Sequence, residues 1–204
     1  DKKDLGCHTG TISDAFLELY KAGKLTNAHK ELDTGLSAWN LAMGSQELYD
    51  WLDAEPQLFH PGDLDYIHSV ERISKFSNVI SGGVQLDLMG QENAESTGTR
   101  QLSGVGGQMD FLEGAYRSKG GKGFICINSS RVTKDGERKS NILATIPGGS
   151  TISAPRTMIQ YVATEYGIAS LSGKTLRERA EAMASIAHPD FREELMKYAQ
   201  ENFK

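Results

Sequence analysis

The residues best suited to chemistry in this 204-residue chain lie in one loop, Ser103-Gly104-Val105-Gly106-Gly107-Gln108. Gly104, Gly106 and Gly107 lack the Cβ atoms that would hold a ligand away from the backbone. The spacing of Met109, Leu112 and Ala115 predicts a helix from Gln108 onward. Backbone N–H groups in such a loop, followed by a helix N-terminus, suit a phosphate, a carboxylate or the oxyanion of a tetrahedral thioester adduct. The same residues also suit a tight structural turn. Neither the spacing of a dinucleotide fingerprint nor the Lys-Ser/Thr ending of an NTPase phosphate loop is present. A further glycine pair, Gly82-Gly83, precedes a strand pattern and marks either a simple bend or close approach of another backbone or a ligand.

The other reactive side chains form no constellation in the sequence. His8, His29, His60, His68 and His188 show no metal-ligand spacing with one another or with a cysteine pair, so no metal is expected. Ser103 lacks a Gly-x-Ser-x-Gly elbow and reads as a turn residue. Asp110 reads as a first-turn acid complementing its helix dipole. Tyr161, Glu165 and Tyr166 lie near Gly167, where a strand is expected to finish, and fit a polar network as well as a substrate contact. Cys7 and Cys126 are the only cysteines and are expected to be reduced.

The elements that must position these residues alternate strand-like and helical patterns, which implies an α/β layered fold. A strand or turn is expected at Leu5 to Thr9, then a helix capped by Ser13 and carrying Phe16, Leu19 and Tyr20 as far as Gly23. A strand over Leu36 to Met43 precedes a helix capped by Ser45 and stopped by Pro56. Val84, Leu86 and Leu88 alternate with polar neighbours as in a strand, Gly90 to Ser96 reads as a polar loop, and Phe124 to Ile127 is expected to continue the sheet. Thr175 with Glu178, and Asp190 with Glu193, predict caps for two scaffold helices, the first ending near His188-Pro189.

A net charge of -5 with scattered basic residues offers no stripe for a phosphate backbone, so nucleic acid is not an expected partner. No stretch approaches the roughly 20 apolar residues of a membrane span, and Asp1-Lys2-Lys3-Asp4 does not start a signal peptide, so a cytoplasmic protein is expected. The abrupt start, without an initiator methionine, suggests a fragment of a longer chain.

Longer runs carry a resemblance. Leu5-Gly6-Cys7-His8-Thr9 with Ile12-Ser13-Asp14, Met43-Gly44-Ser45-Gln46-Glu47-Leu48-Tyr49-Asp50 and Val84-Gln85-Leu86-Asp87-Leu88 with Gly90-Gln91 are three of them. Gly98-Thr99-Arg100, the glycine loop through Met109-Asp110-Phe111, Thr164-Glu165-Tyr166-Gly167-Ile168-Ala169, and Leu176-Arg177-Glu178-Arg179-Ala180 through His188-Pro189-Asp190-Phe191-Arg192 extend it over nearly the whole chain. Taken together, these segments resemble the carboxy-terminal domain of the acetyl-CoA hydrolase and 4-hydroxybutyrate CoA-transferase type of class I CoA-transferases.

That resemblance implies a CoA-transferase-type lobe over residues 1–204, with a mixed sheet flanked by helices, paired with an amino-terminal lobe that this chain lacks. It implies acyl-CoA and a carboxylate as substrates, a homo-oligomer, and a site between the lobes. Gly83 and Ser103, Gly104, Val105, Gly106, Gly107 and Gln108 would contact CoA, and Gly106 and Gly107 would support the oxyanion. In the family's transferases a glutamate attacks the thioester, and its segment corresponds to His8-Thr9-Gly10 here. Gly10 cannot be that nucleophile. Glu92 and Glu95 are spare carboxylates in the loop region, but nothing in the sequence places either beside a thioester. Three accounts remain open: an acid from the missing lobe, hydrolysis by activated water, or a non-catalytic CoA-binding or dimerisation module. CoA transfer is the leading expectation and hydrolysis the second.

Overall fold

The computed structural model describes residues 2–76 and 78–203. Strands β1 (His8–Ile12), β2 (Ser37–Ala42) and β3 (Phe59–Pro61) form a parallel sheet in chain order. Parallel neighbours need crossovers, which α1 (Asp14–Lys21) and α2 (Gln46–Ala54) supply. α1 buries Leu17 and α2 buries Leu48 and Trp51 against Cys7, Ile12, Leu25 and Phe59. Ser45 caps α2 by accepting from the Leu48 N–H at 3.3 Å, whereas Ser13 precedes α1 without a side-chain cap. The Lys30 ammonium is buried beneath β1 and donates to the carbonyls of Cys7 at 2.8 Å and Leu36 at 2.6 Å. Burial pushes the Cys7 thiol up to about 12, which removes it as a nucleophile.

Two one-turn helices, α3 (Leu64–Ile67) and α4 (Val70–Ile73), then lead to β4 (Asn78–Gly82). Each is too short to leave a periodic signature in the sequence. β5 (Gln85–Asp87), β6 (Glu92–Asn93), β7 (Ser96–Thr97) and β8 (Arg100–Gln101) precede α5 (Gln108–Arg117) and β9 (Lys122–Cys126). A hairpin of β10 (Ser130–Val132) and β11 (Arg138–Ser140) is followed by β12 (Ile142–Leu143), β13 (Tyr161–Thr164), β14 (Gly167–Ser170), α6 (Leu176–Ser185) and α7 (Pro189–Asn202).

The expected strand at Phe124 is β9, but it does not extend the sheet that contains Leu86. β9 lies inside a sheet ordered β14-β13-β9-β4, while β5 pairs with β12 and β6 in another. Nor does the alternation at β5 mark one wet and one dry face, because Gln85, Leu86, Asp87 and Leu88 are all buried. Asp87 accepts from the Gln91 backbone at 2.9 Å and its side chain at 2.8 Å, closing a turn. The expected polar loop is likewise internal: Glu92, Asn93, Glu95 and Ser96 are buried, and Asn93 Oδ1 accepts from the N–H groups of Glu95 and Ser96.

α5 spans β4 and β9 and buries Leu112 and Ala115. Its interior Gly114 lets the helix close on α4, since a Cβ there would collide with Ile73. Gly167 opens β14 instead of ending β13, and the two strands form a hairpin paired from Tyr161↔Ser170 to Thr164↔Gly167. Glu165 at its turn accepts from the Ser129 N–H at 2.9 Å and hydroxyl at 2.6 Å, a structural polar contact. Thr175 and Glu178 make the expected capping box of α6. α6 stops at Ser185, and α7 is capped by His188 with Pro189 in its first turn, not by Asp190. No helix among the described residues is long and apolar enough to cross a membrane.

The main core joins Leu86, Leu112, Ile125, Ile142 and Val162 with Ala180, Met183 and Leu195 of the last two helices. Arg179 anchors its edge. Its guanidinium donates to the carbonyls of Met89 at 2.9 Å, Leu171 at 2.8 Å and Arg156 at 2.9 Å, and it packs below Gly90. Arg179→Met keeps much of the stem and leaves those carbonyls unpaired. Urea denaturation should show a loss of about 3–5 kcal/mol. A loss below about 1 kcal/mol would mean that water replaces the guanidinium without penalty.

Candidate functional site

The glycine loop is held at its base and open at its tip. The N–H groups of Leu102 and Ser103 donate to the Glu95 carbonyl at 2.7 and 3.3 Å, and the Gln101 side chain donates to the Ser103 carbonyl at 2.7 Å. Ser103 Oγ donates to the Gly104 carbonyl at 3.1 Å, as a turn residue does. Leu102 to Gly106 are exposed, with Val105 at 68%. Among the described residues, no protein acceptor meets the backbone N–H groups of Gly104, Val105, Gly106 or Gly107. Gly106 adopts φ +60°, and a Cβ on Gly104 or Gly106 would meet nothing within 4 Å. Those two glycines face open space, and the N-terminus of α5 follows them.

Gly107 has a different reason to be glycine. A Cβ there would collide with the imidazole of His68, which follows α3. The same ring faces β1: a Cβ on Gly10 would lie 3.1 Å from His68 Nε2 and 3.8 Å from Phe111. Two glycines therefore form a slot that the imidazole fills, with Phe111 edge-on at 5.4 Å between ring centroids. His68 Nδ1 lies 3.7 Å from Asp110 Oδ2, and Nε2 is buried without a hydrogen-bond partner. Leu64, Asp65, His68, Ser69 and Asp110 line an adjoining depression of about 440 Å³. Nearby, His8 Nε2 contacts the Ile67 carbonyl at 2.8 Å, and burial holds its imidazole below the usual histidine range.

Gly83 serves a third arrangement. A Cβ on it would run into Glu92 Oε1, and Ile125 closes the other side at 3.3 Å. Gln108 Nε2 donates to Glu92 Oε1 at 3.0 Å and to the Gly82 carbonyl at 2.9 Å, tying the start of α5 to the end of β4. Glu92 is fully buried and its Oε2 has no partner. Burial pushes its carboxyl up to about 7, against a smaller opposing effect of the Gln108 hydrogen bond.

Ser103 to Gln108 are thus linked at Gln108 to Gly83 through Glu92 and at Gly107 to Gly10 through His68. In the sequence Glu92 is only one of two spare carboxylates, and His68 and Asp110 are isolated residues. Their grouping depends on α3 and on the β4–α5 approach, neither of which has a local signal. Among the described residues, no group of His, Cys, Asp and Glu side chains has the arrangement of a metal site.

The comparisons with known proteins agree with this architecture. A model of the acetyl-CoA hydrolase/transferase C-terminal domain matches residues 44–199. The chain belongs to this family. It is 44% identical to the butyryl-CoA:acetate CoA-transferase of Anaerostipes caccae over 98% of this chain and 45% of that protein. It is 43% identical to the 4-hydroxybutyrate coenzyme A transferase of Clostridium kluyveri, over 100% of this chain and 47% of that protein. The crystal structure of RipA from Yersinia pestis superposes with a TM-score of 0.86 at 36% identity, over 98% of this chain and 45% of RipA. This acetyl-CoA hydrolase/transferase C-terminal domain thus spans about half the length of the curated relatives it matches.

Glu92 gives the domain a pH signature. An ordinary glutamate ionises near 4.5 and Glu92 near 7, so the folded state holds this proton more tightly than the unfolded state. The resulting stabilisation is full below about 4.5 and is lost as pH rises to about 7. Glu92→Gln is neutral throughout. Its stability relative to the parent should rise by on the order of 3 kcal/mol between acidic and mildly alkaline urea titrations. A difference independent of pH would show that the carboxyl is not sealed from water.

Proposed function

We propose that this domain is the carboxy-terminal half of a cytoplasmic, homo-oligomeric enzyme that transfers CoA between a short-chain acyl-CoA and a carboxylate. The observation that carries the reading is the row of backbone N–H groups from Gly104 to Gly107, exposed as far as Gly106, which no protein acceptor among the described residues satisfies. Donors fixed in that way stabilise charge developing on a thioester oxygen without reorganising during the reaction. Gly106 and Gly107 would meet that oxygen. Ser103 to Gln108 would line the path of CoA, and Gly83 would support it indirectly by making room for Glu92 under Gln108.

In this scheme a carboxylate attacks the thioester carbonyl, CoA leaves as the thiolate, and a mixed anhydride forms. The thiolate then attacks the enzyme carboxyl in that anhydride and releases the first acid. Attack by the acceptor carboxylate and return of the thiolate complete the exchange. Gly10 supplies no carboxylate, so the attacking group comes from an amino-terminal lobe that faces the loop across the site.

Full-length protein incubated with acetyl-CoA and butyrate or 4-hydroxybutyrate should form the corresponding new acyl-CoA. Borohydride trapping should then mark a glutamate outside residues 1–204. Absence of any new acyl-CoA across a panel of carboxylates would overturn the proposal. In Gly10→Glu the added Cβ asks that His68 yield by a few tenths of an ångström, because it would lie 3.1 Å from Nε2 of that ring. It should raise transferase turnover and move the trapped residue to position 10. Gly106→Val forces a β-branched residue away from φ +60° and should abolish CoA binding, measured by calorimetry, while far-ultraviolet circular dichroism stays native.

A further inference from the structure

We propose that the open face of the sheet β14-β13-β9-β4 is the seat of a helix from the chain ahead of residue 1, which packs across Ile80, Phe124, Tyr161 and Ile168. The inference rests on the reading of residues 1–204 as the carboxy-terminal part of a longer enzyme, and adds a contact surface to it.

Register fixes which side chains share this face. Ile80 pairs with Phe124, Phe124 with Tyr161 and Tyr161 with Ser170, and the next row runs Gly82, Cys126, Ala163 and Ile168. Residues side by side in a sheet point to the same side, and the rings of Phe124 and Tyr161 stack with centroids 4.9 Å apart. None of these residues is charged. Ile80 is 75% exposed, Ile168 63%, and Cys126 is exposed as well. The alternate residues Val79, Gly123, Ile125, Val162 and Ala169 point the other way and are buried. α5 and α6 pack on that buried side, where Leu112 and Met183 join Ile125 and Val162 in the main core and Ala115 joins Val79.

A sheet built in this way is seldom left bare. β4, β9 and β13 are parallel, and parallel strands occur almost only where helices cover both faces. A face meant for water alternates polar residues with the buried ones, whereas this one presents isoleucines and aromatic rings.

Size decides between occupants. The strand spacing of about 4.8 Å and two rows of side chains give the patch an area on the order of 300 Å². A stable contact between separate subunits takes about 800 Å² on each. One helix, about 10 Å across, fits the smaller area. A segment of the same polypeptide also needs less interface, because its tether holds it at high effective concentration. The matched domain is a C-terminal one and the chain spans 45% of the Anaerostipes caccae transferase, so more than half of that relative lies outside the shared part.

The test uses full-length protein carrying Ile168→p-benzoylphenylalanine, a photoreactive side chain. Irradiation should give a product with the mass of one chain, and its digest should contain a peptide pair joining β14 to residues ahead of Asp1. A product of doubled mass would hand the face to a second copy and overturn the proposal, as would a cross-link confined to residues 1–204. Thiol labelling reads the same face independently. Cys7 is buried, so Cys126 is the accessible thiol among residues 1–204, and peptide mass spectrometry follows its alkylation by N-ethylmaleimide. Ile80→Asp should free the face and speed that alkylation by about tenfold or more. Val132→Asp, at a residue 58% exposed on the β10–β11 hairpin, should leave it unchanged. Equal rates in the native and Ile80→Asp proteins would show that the face is open and overturn the docking. CoA transfer from acetyl-CoA to butyrate is assayed on the same samples. An open face in protein that transfers CoA overturns the docked helix alone. A single-chain cross-link in protein that forms no new acyl-CoA removes the transfer reading and supports the helix.

Discussion

The open shape of the glycine loop depends on the side-chain amide of Gln108. Four consecutive residues whose N–H groups lack internal acceptors do not hold a fixed geometry by themselves, because the backbone entropy of glycine opposes it. Gln108 supplies the restraint from the helical end by donating to both the Gly82 carbonyl and Glu92, while Glu95 restrains the other end through Leu102 and Ser103. The loop is therefore fixed at its two feet and free at its tip, the condition under which backbone donors are preorganised for an incoming charge. The buried turn from Glu92 to Ser96 is the foundation of both feet, and the Arg179 clamp lies against the preceding turn.

The glycines of the site divide by what occupies the space of the missing Cβ. At Gly83 it is a carboxylate oxygen of Glu92, at Gly107 the His68 ring, and at Gly104 and Gly106 nothing within 4 Å. The last pair leaves the Cβ side of its backbone open, and at Gly107 the ring covers that side while the N–H has no acceptor among the described residues. Gly10 belongs with Gly107, since both border the same imidazole. One histidine thus links the strand that would carry a nucleophilic side chain to the loop that would stabilise the oxyanion. Beside the glycine loop, the His68 ring fills the space that side chains at Gly10 and Gly107 would need.

Much of this was legible in the residues themselves. The Ser45 cap, the Thr175-Glu178 capping box and the strand around Phe124 follow from local rules, and the glycine loop stands out because Gly104, Gly106 and Gly107 lack Cβ atoms just ahead of a helical pattern. What local pattern could not supply was long-range. The alternation of Val84 to Leu88 marks a strand, but it does not say that Gln85 and Asp87 are buried as well, Asp87 to close a turn. The pairing of β5 with β12 instead of β9 is set by a crossover no window of sequence contains. The His68 slot needs α3, β1 and α5 to converge, and none of these elements announces the other two.

The most direct measurement is a crystal structure of the full-length protein with an acetyl-CoA analogue whose carbonyl is retained but whose carbon–sulfur bond is replaced by an uncleavable carbon link. The carbonyl oxygen should lie within about 3 Å of the backbone N–H of Gly106 or Gly107, with the acyl carbon toward Gly10 and His68. A carbonyl bound elsewhere, with the N–H groups of the loop turned to solvent, would contradict the role given to these glycines.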